Sequence, residues 1–213
     1  MTTGNDPDFL HKEYPKQFAR DKFWAQIKRT VNGQPVSERE IGMIVSQIKR
    51  HLKPSPRSHL LDLGCGNGAL AARLFPDLDQ YTGVDFSPYL LGIAREYFQP
   101  NPRVRYIEAD ARTFVAEHPP DSTVDRVLLY GCLSYFSRED VGQLLDNLHQ
   151  RWPETCIIFI CNVPDSRSAP EFFAARKVDR YELDNPQTPI GVWWTPAALT
   201  SAAASAGFKA ECL

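Results

Sequence analysis

Short apolar runs alternate with amphipathic segments along most of the chain after residue 56. The apolar runs, each of the length of a β-strand, lie at 59–63, 80–84, 104–108, 124–130 and 156–162. The segments with helical spacing lie between them, at 67–75, 88–98, 111–117 and 138–150. Parallel strands are joined through such helices, so this order predicts an α/β fold, a doubly wound parallel sheet with helices on both faces. Residues 156–161 of the fifth run are all apolar, as expected for a central strand.

The first 56 residues have a different pattern and are predicted to form an N-terminal helical cap (1–56) over the domain that follows. Apolar and aromatic residues between positions 9 and 27 have roughly helical spacing, whereas residues 1–8 are polar and expected to be disordered. A stretch of turn-forming residues follows. Ser37 and Glu40 then have the spacing of a capping box, which predicts a second helix that ends near Leu52.

Residues 163–194 form an insertion that lacks the alternation seen elsewhere. A connection of about 30 residues without a regular pattern is typically either functional or disordered, and its aromatic residues favour an ordered segment. We predict that it is a substrate lid within a domain that spans 57–213. Thr195 and Pro196 are typical of a helix start, and the chain after Gly207 is expected to begin a sixth strand.

The composition is that of a globular protein of 213 residues, with 43% hydrophobic and 23% charged residues, so we expect one domain with a sizeable core. No apolar run approaches the roughly 18 residues of a membrane span, and the N-terminal residues lack a signal-peptide pattern. We therefore expect a cytoplasmic protein without a membrane partner. The five cysteines include no Cys-x-x-Cys pair, which argues against a disulfide framework and a metal site.

The net charge of −2 conceals an uneven distribution. Residues 1–59 contain 11 Lys and Arg against 6 Asp and Glu, a charge of +5, whereas residues 60–213 contain 13 against 20, a charge of −7. The basic N-terminal region is either a solvated helix face or a cap over a site for a phosphate- or carboxylate-bearing substrate. The excess is modest and accompanies no nucleic-acid recognition motif, so no nucleic-acid partner is expected.

A glycine-rich turn follows the first strand and contains Gly64, Gly66 and Gly68. Glycine permits a positive φ angle and lets a ligand approach the backbone closely, so the turn predicts a cofactor site. The spacing Gly-x-Gly-x-x-Ala matches the relaxed dinucleotide fingerprint, which would favour an NAD(P)-dependent oxidoreductase. Asp62, ahead of the turn, would instead repel a pyrophosphate and suits a cationic amino-acid ligand. Asp85 closes the next strand and adds a second acid.

Residues 61–68, Leu-Asp-Leu-Gly-Cys-Gly-Asn-Gly, resemble motif I of class I S-adenosylmethionine-dependent methyltransferases. Residues 81–87, 108–111 and 124–130 resemble the second, third and fourth motifs of that family, in the same order and spacing. The resemblance implies a Rossmann-like sheet with the strand order 3-2-1-4-5-7-6. The seventh strand would be missing, because the sequence stops inside the expected sixth. The incomplete sheet edge could then pair with another chain to form an oligomer.

The resemblance also implies roles for individual residues around S-adenosylmethionine. Gly64 and Gly66, with Cys65 between them, would lie under the methionine part of the cofactor. Its amino group would be held by Asp62 and by the backbone carbonyl near Tyr130.

On the adenosine side, the resemblance implies that Asp85 accepts from both ribose hydroxyl groups, which the two oxygens of one carboxylate can do together. An Asp before Ser-Pro is also a common helix cap, so this residue has a structural alternative. Phe86, which Ser87 follows, would pack on the adenine ring. Asp110 would accept from the adenine amino group, while the backbone amide of Ala111 would donate to the ring.

The acceptor side has no comparable motif, because transfer from an activated sulfonium needs little acid–base machinery. Candidates for a general base are Tyr135, His11 and His118. Aromatic and polar residues expected above the strand ends are the candidates for substrate binding: Tyr14, Trp24, Lys28, Tyr135, Asn162 and Arg176.

The resemblance therefore implies transfer of a methyl group to an oxygen or nitrogen of a small polar acceptor, with S-adenosylhomocysteine as the second product. The basic cap would suit an anionic acceptor. Two alternatives remain open at this point. An NAD(P)-dependent oxidoreductase would use the glycine turn for a dinucleotide, and a non-catalytic relative would bind the cofactor without turnover.

Overall fold

The N-terminal region is folded in short pieces that lie against the rest of the domain. The computed structural model describes residues 9–31, 34–152 and 156–213, so the disorder expected for residues 1–8 lies outside the described residues. The first elements are α1 (Phe9–Lys12), a 3₁₀ turn (Tyr14–Gln17) and α2 (Phe23–Gln26). Two short strands, β1 (Thr30–Val31) and β2 (Gln34–Pro35), then pair antiparallel.

The continuous first helix predicted from the spacing is therefore wrong. Pro15 has no N–H group for a helical hydrogen bond, and it lies in the first half of a 3₁₀ turn instead. The side-chain amide of Gln26 donates to the carbonyl oxygens of Ala19 at 2.9 Å and Arg20 at 3.2 Å, and so holds a bend. Lys28 has a φ angle of 54°, which no right-handed helix contains.

The second predicted helix is confirmed as α3 (Glu38–Leu52). It begins at the capping box, in which the Ser37 hydroxyl accepts from the backbone N–H of Glu40 and the Glu40 carboxylate accepts from the backbone N–H of Ser37. Its apolar stripe is buried at four positions: Ile41, Val45, Ile48 and Leu52.

Five strands form the central sheet: β3 (His59–Leu63), β4 (Gln80–Asp85), β5 (Val104–Glu108), β6 (Val124–Tyr130) and β7 (Ile157–Cys161). Their spatial order is β5-β4-β3-β6-β7, and every neighbouring pair is parallel. The connections contain α4 (Pro88–Phe98), α5 (Ala111–Glu117) and α6 (Arg138–Arg151). The α/β fold with a parallel sheet is confirmed, and the five strands follow the 3-2-1-4-5 part of the expected order.

Apolar clusters cover both faces of this sheet, because side chains alternate along each strand. Leu60 and Tyr81 belong to the cluster that contains the buried side chains of α3 and α4. Leu61 and Leu63 belong to the cluster that contains those of α5 and α6. β3 is buried at all five positions, so the loop that follows it begins from the most constrained part of the core.

No α-helix follows the glycine turn, so the helix predicted over 67–75 is wrong. Two 3₁₀ turns, Ala71–Arg73 and Phe75–Asp77, take its place. Pro76 provides no N–H group and disfavours helical geometry at the residue before it, which limits the segment to short turns. The partial positive charge of a helix N-terminus is therefore not available to a ligand at this turn.

The fifth strand was predicted to be central, but β7 is an edge strand of the sheet that the described residues form. All five of its residues are half-buried rather than buried. The predicted sixth strand is also wrong, since residues 208–213 have no strand geometry. The backbone N–H of Phe208 donates to the carbonyl of Ala203, which terminates the preceding helix instead of extending the sheet.

The insertion at 163–194 is ordered in the structure and contains α7 (Ala169–Ala174). Its two ends meet, because Asp165 and Trp194 form a parallel bridge. Phe173 stacks on Tyr181 with ring centroids 4.0 Å apart, and aromatic contacts extend from there to Trp193. The last helix, α8 (Pro196–Ser205), begins at the predicted cap, where the Thr195 side chain accepts from the N–H of Ala198.

Two general features limit the kinds of site to consider. None of the helices in the described ranges is long and apolar enough to cross a membrane. The same residues contain no cluster of His, Cys, Asp or Glu that could hold a metal ion.

Candidate active site

A cavity of about 630 Å³ lies at the carboxyl ends of the central strands. The loops after β3, β4, β5 and β6 line its floor, as is usual for ligand sites in open α/β sheets. Residues 26–29 of the N-terminal region and residues 186–187 of the insertion complete its walls. The predicted cap and lid therefore both contribute to one cavity.

The glycine turn forms part of the floor with an unusual backbone. Gly64, Gly66 and Gly68 have φ angles of 78°, 58° and 76°, which other residues adopt only with strain. A Cβ atom on Gly64 would lie 2.6 Å from the Cβ of Cys132, so the turn also packs too tightly for a side chain there. The backbone N–H groups of Gly64 and Cys65 donate to the carbonyl of Val84, which anchors the turn to β4.

Asp85, the last residue of β4, connects two of these loops. One carboxylate oxygen accepts from the backbone N–H of Gly66 at 2.8 Å, and the other accepts from the N–H of Ser87 at 2.9 Å. Burial raises the pKa of Asp85, and hydrogen bonds from Ser87 and Gly66 partly offset that rise. Each oxygen still has a lone pair for a ligand hydroxyl group. The carboxylate thus ties the glycine turn to β4 and faces the cavity.

Asp62 lies beneath the turn and also lines the cavity. The residue is 5% exposed, and its carboxyl group accepts from the hydroxyl group of Tyr81 at 2.9 Å. Burial raises the pKa of Asp62 to about 7; the Tyr81 hydrogen bond lowers it and the charge of Asp85 raises it. A cationic group placed next to Asp62 would restore the ionised form. This carboxyl group can therefore respond to a cationic ligand near neutral pH.

The predicted adenine-binding residues lie along one side of the cavity. Phe86 is contacted by the edge of the His11 ring, with centroids 5.6 Å apart, and by the Lys12 ammonium group 5.1 Å from its centroid. The Ser87 hydroxyl donates to the carbonyl of His11 at 2.8 Å. Ser87 is thus buried and positions α1. Phe86 lines the cavity, on the side where the resemblance places the adenine.

Asp110 has a partner that the sequence did not indicate. Its carboxylate accepts from Arg112 through the backbone N–H, Nε and Nη2, at 2.7–2.9 Å, and this ion pair lowers the pKa of Asp110. Arg112 also donates to Asp140 at 3.0 Å. Asp110 caps α5, which begins at Ala111, and both residues line the cavity. Asp110 is therefore a structural cap as well as a candidate acceptor for an adenine amino group.

The N-terminal region is held over the glycine turn by contacts that sequence analysis missed. The side-chain amide of Asn67, inside the turn, donates to the carbonyl of Phe23 at 2.8 Å and to Gln26 Oε1 at 2.9 Å. Ile27 packs against Gly66, since a Cβ there would lie 3.3 Å from it. Asn67 and Gln26 are both buried. Residues 26–29 therefore form the cavity wall next to the turn.

On the acceptor side, the structure brings two of the candidate bases together. The rings of His11 and Tyr135 meet edge-on with centroids 4.4 Å apart, and both residues line the cavity. The Tyr135 hydroxyl donates to the carbonyl of Pro189 at 3.2 Å, and burial raises the pKa of this phenol. Tyr135 therefore anchors the insertion and is a poor proton acceptor near neutral pH.

Other candidates are farther from this centre. Lys28 lines the cavity, with its ammonium group 4.6 Å from the ring centroid of Tyr14, whereas Tyr14 itself does not line it. Trp24 packs against the core cluster on the α3 side of the sheet. His118 stacks on Phe114 and does not line the cavity. Arg176 lies over the ring of Phe172 and does not line the cavity either.

Arg29 is the main residue that the sequence did not single out. It lines the cavity, its guanidinium lies 3.9 Å from the ring centroid of Tyr130, and its Nη1 donates to the Tyr130 hydroxyl at 3.0 Å. Nothing in the local sequence distinguishes it from the other basic residues of the N-terminal region. Only the tertiary arrangement shows that it reaches the end of β6.

With this geometry established, comparison with known proteins identifies the domain. A family model described as a methyltransferase domain matches residues 60–152, which begin in β3 and end after α6. Residues 60–152 are a methyltransferase domain. The resemblance stated from the four motifs is thereby confirmed at the level of the family.

Relatives of this methyltransferase domain act in different reactions. A carboxy-S-adenosyl-L-methionine synthase of Chromohalobacter salexigens is 32% identical over 130 residues, which cover 58% of this chain and 44% of that protein. A trans-aconitate 2-methyltransferase of an Enterobacter species is 36% identical over 132 residues, which cover 61% and 48%. The chain thus spans about half the length of the curated relatives it matches.

Solved structures confirm the fold. Human N-acetylserotonin methyltransferase, in complex with S-adenosylmethionine, superposes with a TM-score of 0.56 at 20% identity. The superposition covers 94% of this chain and 58% of the human protein. At this identity the likeness concerns the fold alone.

Proposed function

We propose that the chain binds S-adenosylmethionine and transfers its methyl group to an oxygen or nitrogen of a small polar acceptor, with a carboxylate as the favoured acceptor group. The observation that carries this proposal is the hydrogen bond between the Asp85 carboxylate and the Gly66 amide. It places an acid for ribose hydroxyl groups directly against the glycine turn. The relatives that act on or with S-adenosylmethionine support the same cofactor.

The residues of the cavity fit this cofactor better than a dinucleotide. Asp62 and Asp85 both face the region next to the glycine turn, where a pyrophosphate would meet two carboxylates. No α-helix N-terminus follows the turn to offset that repulsion. An ammonium or sulfonium group would instead be attracted to the same two acids. We therefore infer that the ligand of the turn is cationic and carries a ribose.

The bound cofactor supplies a methyl group on a sulfonium, which is already activated for transfer. The chain then has to hold the two reactants in line and exclude water. Residues 23–29 cover the turn through Asn67 and Gln26, and the Tyr135–Pro189 hydrogen bond holds the insertion over the other side. These contacts form the walls that orient the acceptor.

A hydroxyl or amine acceptor must lose a proton when it is methylated, so the bases available in the cavity limit the choice of acceptor. Tyr135 is committed as a donor, which leaves His11 as the candidate base at the cavity wall for a hydroxyl or amine acceptor. A carboxylate is ionised at neutral pH and needs no base. It would also suit Lys28 and Arg29 in the cavity wall. The trans-aconitate 2-methyltransferase among the relatives is consistent with a carboxylate acceptor.

The test is turnover with a panel of acceptors that differ in the group offered: polycarboxylates such as trans-aconitate, phenols, and primary amines. We expect S-adenosylhomocysteine to accumulate with a carboxylate, together with a product heavier by one methylene unit in mass spectrometry. Methylation of amines or phenols alone would contradict the acceptor class. Binding of S-adenosylhomocysteine without turnover across the panel would favour the non-catalytic alternative.

Three expectations from the sequence stay predictions: the cytoplasmic location, the absence of a nucleic-acid partner and the division at residues 56 and 57. Association through the edge of β7 also stays a prediction. The five residues of that strand are half-buried.

A further inference from the structure

Arg29 is a cation without a matching anion. Its Nε atom is buried and has no hydrogen-bond partner, and within the described residues no carboxylate forms an ion pair with the guanidinium. Desolvation lowers the pKa of Arg29, and the groups that partly offset this are Tyr130, Cys161 and Tyr135 rather than a carboxylate. A buried polar group without a partner is costly, and a charged one more so. The cavity wall thus contains a guanidinium whose charge is balanced by no carboxylate of the described residues, and an anionic ligand would balance it.

Tyr130 is the second donor at this place. Its hydroxyl oxygen accepts from Arg29 Nη1 at 3.0 Å, and no acceptor for its own proton is found in the described part of the chain. A phenol that accepts from a guanidinium can still donate its hydrogen. Tyr130 ends β6 and lines the cavity, so the hydroxyl is positioned beside the same ligand space.

Asn162 is the third donor. It lies just beyond the end of β7, is exposed and is not among the residues that line the cavity, but it borders Gly131, which does line it. Its φ angle is 57°, a conformation that costs energy for a residue with a side chain. A Cβ atom on Gly131 would lie 2.7 Å from Asn162 Nδ2 and 3.5 Å from Arg29 Nη2. Both donor groups therefore lie close to one point above Gly131, where the absence of a side chain leaves room for them.

We propose that these three residues form a carboxylate-binding subsite beside Gly131, with Arg29 and Tyr130 in the cavity wall and Asn162 at its edge. One cation with neutral donors around it matches a singly charged anion, and the planar guanidinium matches a planar carboxylate in particular. Two sources fit this chemistry: the amino-acid carboxylate of the cofactor and a carboxylate of the acceptor. Only the choice between these sources depends on the proposed function.

The experiment compares ligands that differ by a carboxylate. S-adenosylhomocysteine and 5′-methylthioadenosine share the adenosine and the sulfur, but only the first has an amino-acid group. Both are titrated calorimetrically into wild-type protein and Arg29→Gln. Trans-aconitate is titrated into the free and the S-adenosylhomocysteine-saturated forms of each. Arg20→Gln is the matched control, because Arg20 belongs to the same basic region but pairs with Glu96 at the surface.

If the carboxylate comes from the cofactor, Arg29→Gln should weaken S-adenosylhomocysteine binding by about 10- to 100-fold and leave 5′-methylthioadenosine unchanged. If it comes from the acceptor, both nucleosides should bind as in wild type, and trans-aconitate should lose affinity by a similar factor. Unchanged affinity for all three ligands would overturn the subsite, as would an equal loss in Arg20→Gln.

Asn162→Gly keeps the test decisive if Arg29→Gln does not fold. Glycine accepts the positive φ angle without strain, so this variant should be at least as stable as wild type. It should weaken the binding of the ligand that Arg29→Gln affects by about 3- to 10-fold. Unchanged affinity of Asn162→Gly for all three ligands would count against the subsite. Failure of wild type to bind either nucleoside would instead contradict the proposed function, while the trans-aconitate titration of free protein still tests the subsite.

Discussion

The buried carboxyl group of Asp62 should make cofactor binding depend on pH. Its pKa is raised to about 7 in the free protein, so about half of the molecules carry a neutral Asp62 at neutral pH. A ligand whose ammonium group is held by Asp62 requires the ionised form. Binding should therefore release a proton below pH 7 and release almost none well above it.

The magnitude follows from this pKa. If the pKa of Asp62 falls far below 6 in the complex, the apparent affinity for S-adenosylhomocysteine should rise by about 10-fold from pH 6 to pH 8. About 0.9 protons should be released per ligand at pH 6, and about 0.1 at pH 8. The folded pKa is above the unfolded value, so free protein should lose stability as the pH rises toward 7. Bound ligand should reduce this loss.

The assay is calorimetric titration with S-adenosylhomocysteine in buffers of different ionisation enthalpy, since the buffer dependence of the heat counts the protons released. Asp62→Asn should abolish the release at pH 6. Tyr81→Phe should shift the midpoint to higher pH, because it removes the hydrogen bond that lowers the pKa of Asp62. The pKa of Asp85 is raised as well, so proton release that persists in Asp62→Asn would refute the assignment to Asp62.

Two further predictions concern the turn and the insertion. Asp85→Ala should weaken the binding of S-adenosylhomocysteine by about 10- to 100-fold, because charge-assisted hydrogen bonds to the ribose are lost. The loss of affinity should be smaller for a 2′-deoxyribose analogue. Unchanged calorimetric affinity would contradict that role. Gly191→Ala should destabilise the fold by about 2–4 kcal/mol, because φ is 80° and the new Cβ would lie 2.1 Å from the carbonyl oxygen of Ser134. Gly42→Ala, where a Cβ meets nothing within 4 Å, should not lower the Tm in the same thermal melts; an equal loss in both variants would show that the insertion does not pack as described.

The regular elements of the domain were predictable because local signals and tertiary packing agree there. The ends of β3, β5 and β6 coincide with the apolar runs, and α3 begins at the capping box of Ser37 and Glu40. In each case, burial of an apolar pattern and satisfaction of backbone donors favour the same boundaries. The acids at the strand ends could also be predicted to lie together, because the carboxyl ends of parallel strands lie at one edge of the sheet.

The errors lie where local pattern and tertiary contact differ. Helical spacing before Ile27 predicted a continuous helix that does not form, because Pro15 and the side-chain hydrogen bonds of Gln26 favour bends. The apolar composition of β7 did not reveal an edge position, since composition alone does not identify a strand's neighbours. Arg29 had no signal at all: its role depends on Tyr130, which is 101 positions away in the chain.

The central claim is that the glycine turn and its two acids bind a cationic, ribose-bearing cofactor. The most direct test is calorimetric titration of the wild-type protein with S-adenosylhomocysteine and with NAD(H) and NADP(H) under identical conditions. We predict saturable binding of S-adenosylhomocysteine and no detectable binding of the dinucleotides. Tight binding of a dinucleotide, with none of S-adenosylhomocysteine, would contradict the claim.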